Sequence, residues 1–193
     1  MGPEHLDTLT LTANLAVLYS DQGKYEQAET LLQGTLTIGE RVLGSENAFM
    51  QYLLLSLGQL ATRRGQYQQA DSLLRQAQLL GERVLGPENE WTLRALLFQA
   101  DLSETQQHDG QAAALYQQAL TGFEQALGPR HPRVAEALTG LARLASRQGD
   151  YAQAASFLER ALAIREQALG PKHPASVATQ ATLFKRHDAR PSP

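Results

Sequence analysis

The sequence predicts an all-α protein of the α-solenoid class, in which helix pairs of one repeated design stack side by side. Three observations predict this fold. Similar segments recur every forty-two residues, apolar residues inside them follow helical spacing, and glycine-containing turns separate them. Repeats fill about residues 2–43, 44–85, 86–127 and 128–169. A lone capping helix is predicted over 174–186 and a polar tail over 188–193, so that residues 1–187 form a single solenoid domain.

The first helix of each repeat, helix A, is predicted from apolar residues spaced by four and then three positions, which places them on one helical face. The stripe recurs as Leu11, Leu15, Leu18; as Leu53, Leu57, Leu60; and as Ala137, Leu141, Leu144. A neighbouring position holds only small residues, which are expected to face the second helix, helix B: Ala16, Gly58, Ala100 and Ala142. The predicted helices are 5–21, 25–42, 47–64, 67–85, 90–106, 109–127, 132–148, 151–169 and 174–186.

The turn between helices A and B carries a glycine in three repeats, Gly23, Gly65 and Gly149, where a left-handed backbone is expected. The third repeat has Gln107 at this position, and Asp109 is expected to cap the helix that follows. Gly39 and Gly81 lie inside helix B. Either they permit close approach of a neighbouring helix or they are tolerated at a cost of about 1 kcal/mol each relative to alanine.

Three histidines recur at the repeat interval, His5, His131 and His173, directly before a helix A. Asn47 and Asn89 hold the same position in the other repeats. Asparagine replaces a metal-binding imidazole poorly but caps a helix well, so capping is the preferred interpretation of all five. No metal and no cofactor is predicted.

Composition narrows the function classes further. The net charge is −3, with −8 over residues 1–128 and +5 over residues 129–193, which does not favour a nucleic-acid partner. Cysteine is absent, which excludes disulfides and thiol catalysis. No apolar run approaches the roughly 20 residues needed to span a bilayer, so no membrane association is predicted and the cytoplasm is the default location. No catalytic motif is recognisable, and the chain is predicted not to be an enzyme.

The repeat resembles the tetratricopeptide repeat in its longer form, found in the kinesin light chain and in many bacterial multidomain proteins. The resemblance covers nearly the whole chain. It is carried by Asn14-Leu15-Ala16, Gln22-Gly23-Lys24-Tyr25, Glu26-Gln27-Ala28-Glu29 and Gly170-Pro171-Lys172-His173-Pro174. It implies a right-handed superhelix whose helix A faces line a concave groove for a peptide or helix of a partner protein. The expected function is therefore a non-catalytic scaffold that serves as a docking or sensing module of a larger bacterial protein.

The groove residues that the resemblance implies combine apolar anchors with arginines able to hold a carboxylate. They are Asn14, Val17, Tyr52, Leu55, Gln59, Arg94, Leu97, Asp101, Arg143 and Arg147. In the kinesin light chain one asparagine per repeat grips the cargo backbone. Here only Asn14 keeps that residue, and the equivalent positions hold Ser56, Phe98, Gly140 and Thr182.

Other interpretations remain open at this point. The chain could be the regulatory segment of an enzyme such as a kinase whose catalytic domain lies upstream. It could also self-associate as a homo-oligomer through an uncapped N-terminal end. Trp91 and Phe49 either pack into the turn between repeats or form an exposed aromatic pair that anchors a partner. In the capping helix, Val177, Ala181 and Phe184 are expected to pack on the last helix pair, with Gln180, Lys185 and Arg186 facing water.

Overall fold

The computed structural model describes Gly2 and residues 4–187, with side chains described as far as Phe184. The predicted tail, 188–193, lies outside the described residues. Over the described part the chain forms nine α-helices and no strand. They are α1 (Leu6–Asp21), α2 (Tyr25–Leu43), α3 (Ala48–Arg63), α4 (Tyr67–Val84), α5 (Glu90–Thr105), α6 (Asp109–Leu127), α7 (Pro132–Arg147), α8 (Tyr151–Leu169) and α9 (Pro174–His187). Every predicted boundary lies within one residue of these, and the fold is the predicted all-α repeat solenoid.

The helices belong to two compact units, Met1–Thr105 and Gln106–Pro193. In the first unit each helix packs against the next along the chain from α1 to α5, and α3 also contacts both α1 and α5. In the second unit α6 packs on α7, α7 on α8, and α8 on α9. None of the described helices is long and apolar enough to cross a membrane.

The turns between helices A and B have the predicted left-handed residues. Gly23, Gly65 and Gly149 have φ values of +75°, +74° and +82°. After α1, Gly23 N donates to Ser20 O at 3.1 Å and Lys24 N donates to Tyr19 O at 2.9 Å. This pair of bonds is the Schellman motif, which satisfies carbonyls at the end of a helix. The turn is thus stabilised by backbone bonds that need a residue with positive φ.

The third repeat makes the same turn without glycine. Gln107 has φ +61°, and it is the only non-glycine residue with positive φ in the described part of the chain. The prediction that Asp109 caps α6 is wrong. The N-cap is His108, whose side chain makes no capping bond, and Asp109 is the first helical residue. The local register is therefore kept, at the cost of an unfavourable conformation at Gln107.

The residues before each helix A act as caps, as predicted. The Nδ1 atoms of His5, His131 and His173 accept bonds from backbone N–H groups two residues later, at 3.3, 3.3 and 3.2 Å. Asn47 Oδ1 and Asn89 Oδ1 accept the equivalent bonds at 2.9 and 3.0 Å. The imidazole of histidine and the amide of asparagine therefore make the same capping bond, which explains why either residue occurs at this position.

Small residues inside the helices mark close approaches. A Cβ atom added to Gly39 would lie 2.4 Å from Met50 Cε, and one added to Gly81 would lie 2.0 Å from Gln51 Nε2. Of the two interpretations of these glycines, close helix approach is the correct one. Gly58 behaves in the same way, since its Cβ would lie 2.6 Å from Leu74 Cδ2.

The apolar stripe of helix A is buried on α3 and α7, each of which follows a helix B. Leu53, Leu57 and Leu60 on α3 are at most 6% exposed, because α2 packs against this face. The corresponding residues of α1 are exposed by 69%, 41% and 56%; they are Leu11, Leu15 and Leu18. In α1 the stripe is therefore an open surface and not a core.

The prediction of which face of α9 packs on the preceding helices is wrong. Val177 and Phe184 are 49% and 60% exposed, and Ala181 is also exposed. Ser176 and Thr179 are buried instead. Thr179 stands 126 residues after Leu53, a multiple of the repeat, so α9 packs on α8 through the same face that α3 presents to α2. Gln180 is exposed as expected, whereas the side chains of Lys185 and Arg186 lie outside the described residues.

Candidate functional site

Within the first unit, three successive A helices line one open cleft. The cavity has a volume of about 580 Å³ and is mostly apolar, a size and character typical of ligand pockets. We call it the α1–α3–α5 cleft. Its lining residues are Thr10, Asn14 and Val17 from α1; Ala48, Phe49, Tyr52, Leu55, Ser56 and Gln59 from α3; and Trp91, Arg94 and Phe98 from α5.

Aromatic rings form much of the wall. The Tyr52 and Trp91 rings meet edge to face with centroids 5.5 Å apart, and the Phe49 and Tyr52 centroids are 6.1 Å apart. The guanidinium carbon of Arg94 lies 4.6 Å from the Trp91 centroid and 5.1 Å from the Phe98 centroid. Arg94 is therefore held between two aromatic faces, which orient its planar group through cation–π attraction.

Polar groups lie at the α1 and α3 side of the cleft. Tyr52 Oη donates a hydrogen bond to Asn14 Oδ1 at 2.7 Å, linking α1 to α3. Burial raises the pKa of the Tyr52 phenol, an effect opposed in part by a side-chain hydrogen bond with Ser56 and by the charge of Arg94. The phenol is therefore neutral and available as the donor to Asn14 at physiological pH.

The structure brings six of the ten predicted groove residues to this cleft: Asn14, Val17, Tyr52, Leu55, Gln59 and Arg94. Leu97 is not among the lining residues; its side chain is buried on α5. Asp101 is half-buried on α5 and is also outside the lining. Their role in binding stays a prediction that the geometry of this cleft does not support.

Arg143 and Arg147 belong to the second unit, where both are engaged with α6. Arg143 donates to Tyr116 Oη at 2.8 Å, with its guanidinium carbon 5.8 Å from the ring centroid. Arg147 Nη2 lies 2.5 Å from Asp109 Oδ1 in an ion pair. These arginines tie α7 to α6, which gives them a structural role independent of any ligand.

A partly buried arginine of this unit, Arg165 on α8, donates to the Thr179 hydroxyl on α9. Desolvation lowers its pKa, with the Glu136 carboxylate opposing that shift and the Arg143 charge adding to it. Arg165 thus joins α8 to α9 at the position where an earlier repeat has Gly39.

Two prominent wall residues, Phe49 and Trp91, were not among the predicted groove residues, although an exposed aromatic pair was one of the two interpretations left open for them. Trp91 is 36% exposed and lines the cleft beside Tyr52, so of the two interpretations the exposed aromatic pair describes it better than packing into the turn between repeats. The sequence feature that indicated these wall residues was the occurrence of two aromatic residues at the same repeat position, near the start of helix A. Among the described residues, no group of three or more His, Cys, Asp or Glu side chains could hold a metal ion.

Comparison with known proteins agrees with this architecture. Two structures of a putative kinesin light chain with nearly identical TPR-like repeats from Podosopora anserina are each 25% identical to this chain, with TM-scores of 0.71. They match 98% and 96% of this chain and 88% of their own. BtubC (BKLC) from P. vanneervenii is 20% identical with a TM-score of 0.73, over 97% of this chain and 84% of its own, a likeness of fold. Comparison with curated proteins gives no match.

Family models match most of the chain. One model described as tetratricopeptide repeat matches residues 49–125 and 103–167, and a second with the same description matches residues 8–48. These matches, the repeated helix pairs and the glycine turns all identify the same unit. The chain belongs to the tetratricopeptide repeat family, with repeats like those of the kinesin light chain.

Proposed function

We propose that the protein is a non-catalytic scaffold that holds a peptide or helix of a partner protein in the α1–α3–α5 cleft. Tetratricopeptide repeats generally mediate interactions between proteins, and folds of this kind are typically scaffolds. The observation that carries the proposal is the cleft of about 580 Å³, walled by aromatic side chains from α3 and α5 around one oriented arginine.

The apolar wall supports capture of a bulky side chain. Trp91 is 36% exposed and stands edge-on to Tyr52, so an aliphatic or aromatic residue of the partner would bury surface against both rings. Large aromatic side chains and arginine are the residue types that contribute most to binding at protein interfaces. A partner with an exposed apolar anchor is therefore the expected ligand.

Arg94 supports a preference for acidic partners. Its guanidinium is fixed between Trp91 and Phe98, and a planar guanidinium held in this way can bind a carboxylate through two parallel hydrogen bonds. The first unit has thirteen acidic and seven basic residues, which argues against nucleic acid as the ligand. The proposed partner is therefore a protein and not a nucleic acid.

The test is selection of peptides from a randomised display library on the purified protein, followed by affinity measurement with the enriched peptides. We expect Trp91→Ala to weaken these peptides by about tenfold or more, the loss typical of a central aromatic contact. Val17→Asp, which places a charge on the opposite wall, should do the same. Leu79→Ala is the matched control, since Leu79 is 65% exposed on α4 and does not line the cleft.

Arg94→Lys separates the two parts of the proposal. Lysine keeps the charge but loses the planar fork, so peptides with a carboxylate should weaken while purely apolar peptides should not. Enriched peptides that bind Trp91→Ala and Val17→Asp as well as the unaltered protein would place the binding surface elsewhere and contradict the proposal.

A further inference from the structure

A partner segment can lie in the α1–α3–α5 cleft either as an extended chain or as a helix, and the two place different demands on the cleft. An extended chain exposes one N–H and one C=O group per residue, and those that face the cleft need hydrogen-bond partners there. A helix makes these bonds within itself and presents side chains to the cleft. The polar groups of the cleft therefore indicate which form it holds.

One repeat position lines the cleft from all three A helices. It holds Asn14 on α1, Ser56 on α3 and Phe98 on α5. The Ser56 hydroxyl donates to the backbone oxygen of Tyr52 in its own helix at 2.9 Å, and the Phe98 side chain has no polar atom. Asn14 Oδ1 accepts the Tyr52 hydroxyl at 2.7 Å, which leaves the Asn14 amide nitrogen as the one donor at this position. The three helices therefore do not present a row of donors here.

The other polar groups of the cleft do not form a row either. Thr10 Oγ1 donates to the backbone oxygen of Leu6 in α1 at 2.9 Å. The Gln59 amide and the Trp91 indole can donate, but they stand at two other repeat positions. Arg94 is a cation, and a cation binds a carboxylate more strongly than it binds a peptide carbonyl. The donors of the cleft are thus scattered and differ in chemistry from one helix to the next.

Scattered donors match an extended chain poorly. In such a chain every second residue directs its backbone groups to the same side, so these groups recur at intervals of roughly 7 Å. Carbonyl groups that meet Val17, Phe49 or Leu55 would lose their bonds to water and gain none in return. A helix avoids this loss and uses the apolar wall fully, as in other complexes where a helix lies in a groove. Because the cleft is open on one side, the outer face of that helix stays polar.

We propose, as a consequence of the function proposed for the cleft, that the partner segment is an amphipathic α-helix. Its apolar residues recur every three or four positions and pack on the side chains of Tyr52, Leu55 and Trp91. An acidic residue beside this apolar stripe pairs with Arg94, and this charge complementarity gives the helix one orientation along the cleft. Hydrogen bonds from the cleft to the backbone of the partner contribute little to the affinity.

The experiment compares two synthetic forms of each peptide that the display library enriches. In one form a lactam bridge joins two side chains four residues apart on the polar face and stabilises the helix. In the other form a proline at the centre of the polar face breaks the helix but is compatible with an extended chain. The lactam form should bind the unaltered protein several-fold more tightly than the linear peptide, because less conformational freedom is lost on binding. The proline form should lose measurable binding.

Nuclear magnetic resonance gives the conformation of the bound peptide independently. An isotopically labelled linear peptide, bound to unlabelled protein, should show helical Cα chemical shifts along the segment that contacts the cleft. Trp91→Ala should weaken the linear and lactam forms by the same factor, since both use the same aromatic wall. Leu79→Ala should weaken neither, because Leu79 is 65% exposed on α4 and does not line the cleft.

Two results would overturn the helical occupant while leaving the cleft as the binding site. One is a proline form that binds as tightly as the linear peptide, with Cα shifts of an extended chain. The other is a lactam form that binds more weakly than the linear peptide although Trp91→Ala still weakens both. Peptides that are indifferent to Trp91→Ala would instead contradict the proposed function itself, so the two failures are distinguishable.

Discussion

Substitution of Gly140 tests whether helices A and B approach each other as closely as the structure shows. Gly140 lies inside α7, and a Cβ atom added there would meet Tyr116 Cε1, Cζ and Cδ1 at 2.4, 2.5 and 2.7 Å. The Tyr116 ring is fully buried, and its hydroxyl accepts a hydrogen bond from Arg143 at 2.8 Å. A ring fixed in this way cannot move aside without breaking that bond or displacing α6.

Two opposing effects determine how much Gly140→Ala should change the free energy of unfolding. Alanine is favoured over glycine inside a helix by about 1 kcal/mol. Overpacking of a tight contact costs about 1 to 3 kcal/mol, so the net change is a destabilisation of up to about 2 kcal/mol. At Gly34 in α2 a Cβ would meet no atom within 4 Å, so Gly34→Ala should stabilise by about 1 kcal/mol.

Thermal unfolding followed by far-ultraviolet circular dichroism measures both variants under one set of conditions. For a chain of this size, 1 kcal/mol corresponds to about 2 to 4 °C in Tm, so a difference of about 2 kcal/mol separates the two variants by about 4 to 8 °C. Substituting Tyr116→Leu should reduce the cost of Gly140→Ala, since the two residues are in direct contact. If Gly140→Ala raises Tm as much as Gly34→Ala does, the close approach is not a constraint and the packing argument fails.

Three further changes have expected outcomes that follow from single residues. Gln107→Gly should raise the free energy of unfolding by about 1 kcal/mol, because φ at this position is +61° and left-handed conformations cost non-glycine residues about that much; chemical denaturation that shows no gain would contradict this. Gln51→Met should stabilise by about 1 to 3 kcal/mol, since neither amide atom of the buried Gln51 has a hydrogen-bond partner among the described residues; a lower Tm would mean that the amide is satisfied in solution. The raised pKa of Tyr52 contributes stability that is present below the unfolded-state pKa of about 10 and is lost as pH rises through the folded-state pKa. The unaltered protein should therefore lose more stability than Tyr52→Phe on alkaline titration. Equal losses in the two proteins would contradict a raised pKa for Tyr52.

The local structure was predictable from sequence because its signals are short-range. Helix boundaries, the turn at Gly23 and the cap at His131 each depend on residues within a few positions, and all were located correctly. Repetition strengthened these signals, since one ambiguous position could be compared with its equivalents forty-two residues away. The fold class and the family follow from the same repetition.

Side-chain exposure was less predictable because it depends on which neighbouring helix is present. Leu11 and Leu53 hold the same repeat position, yet one is 69% exposed and the other fully buried. The cleft was anticipated in part: Tyr52 and Arg94 line it as expected, Leu97 does not, and Trp91 lines it although it was not among the predicted groove residues. The spacing of apolar residues shows which of them share one face of a helix, but it does not show whether another helix covers that face.

The sequence by itself determined the helix pairs, their turns and caps, and membership of the tetratricopeptide repeat family, since all of these depend on backbone conformation and on spacing along one chain. Only the tertiary structure decided that Arg94 stands between Trp91 and Phe98, that Arg143 is engaged by Tyr116, and that α1 and α9 keep apolar faces open. The physical reason is that contacts between side chains distant in sequence depend on the packing of several helices at once, to within an ångström or so, and the spacing of residues along the chain does not specify that distance.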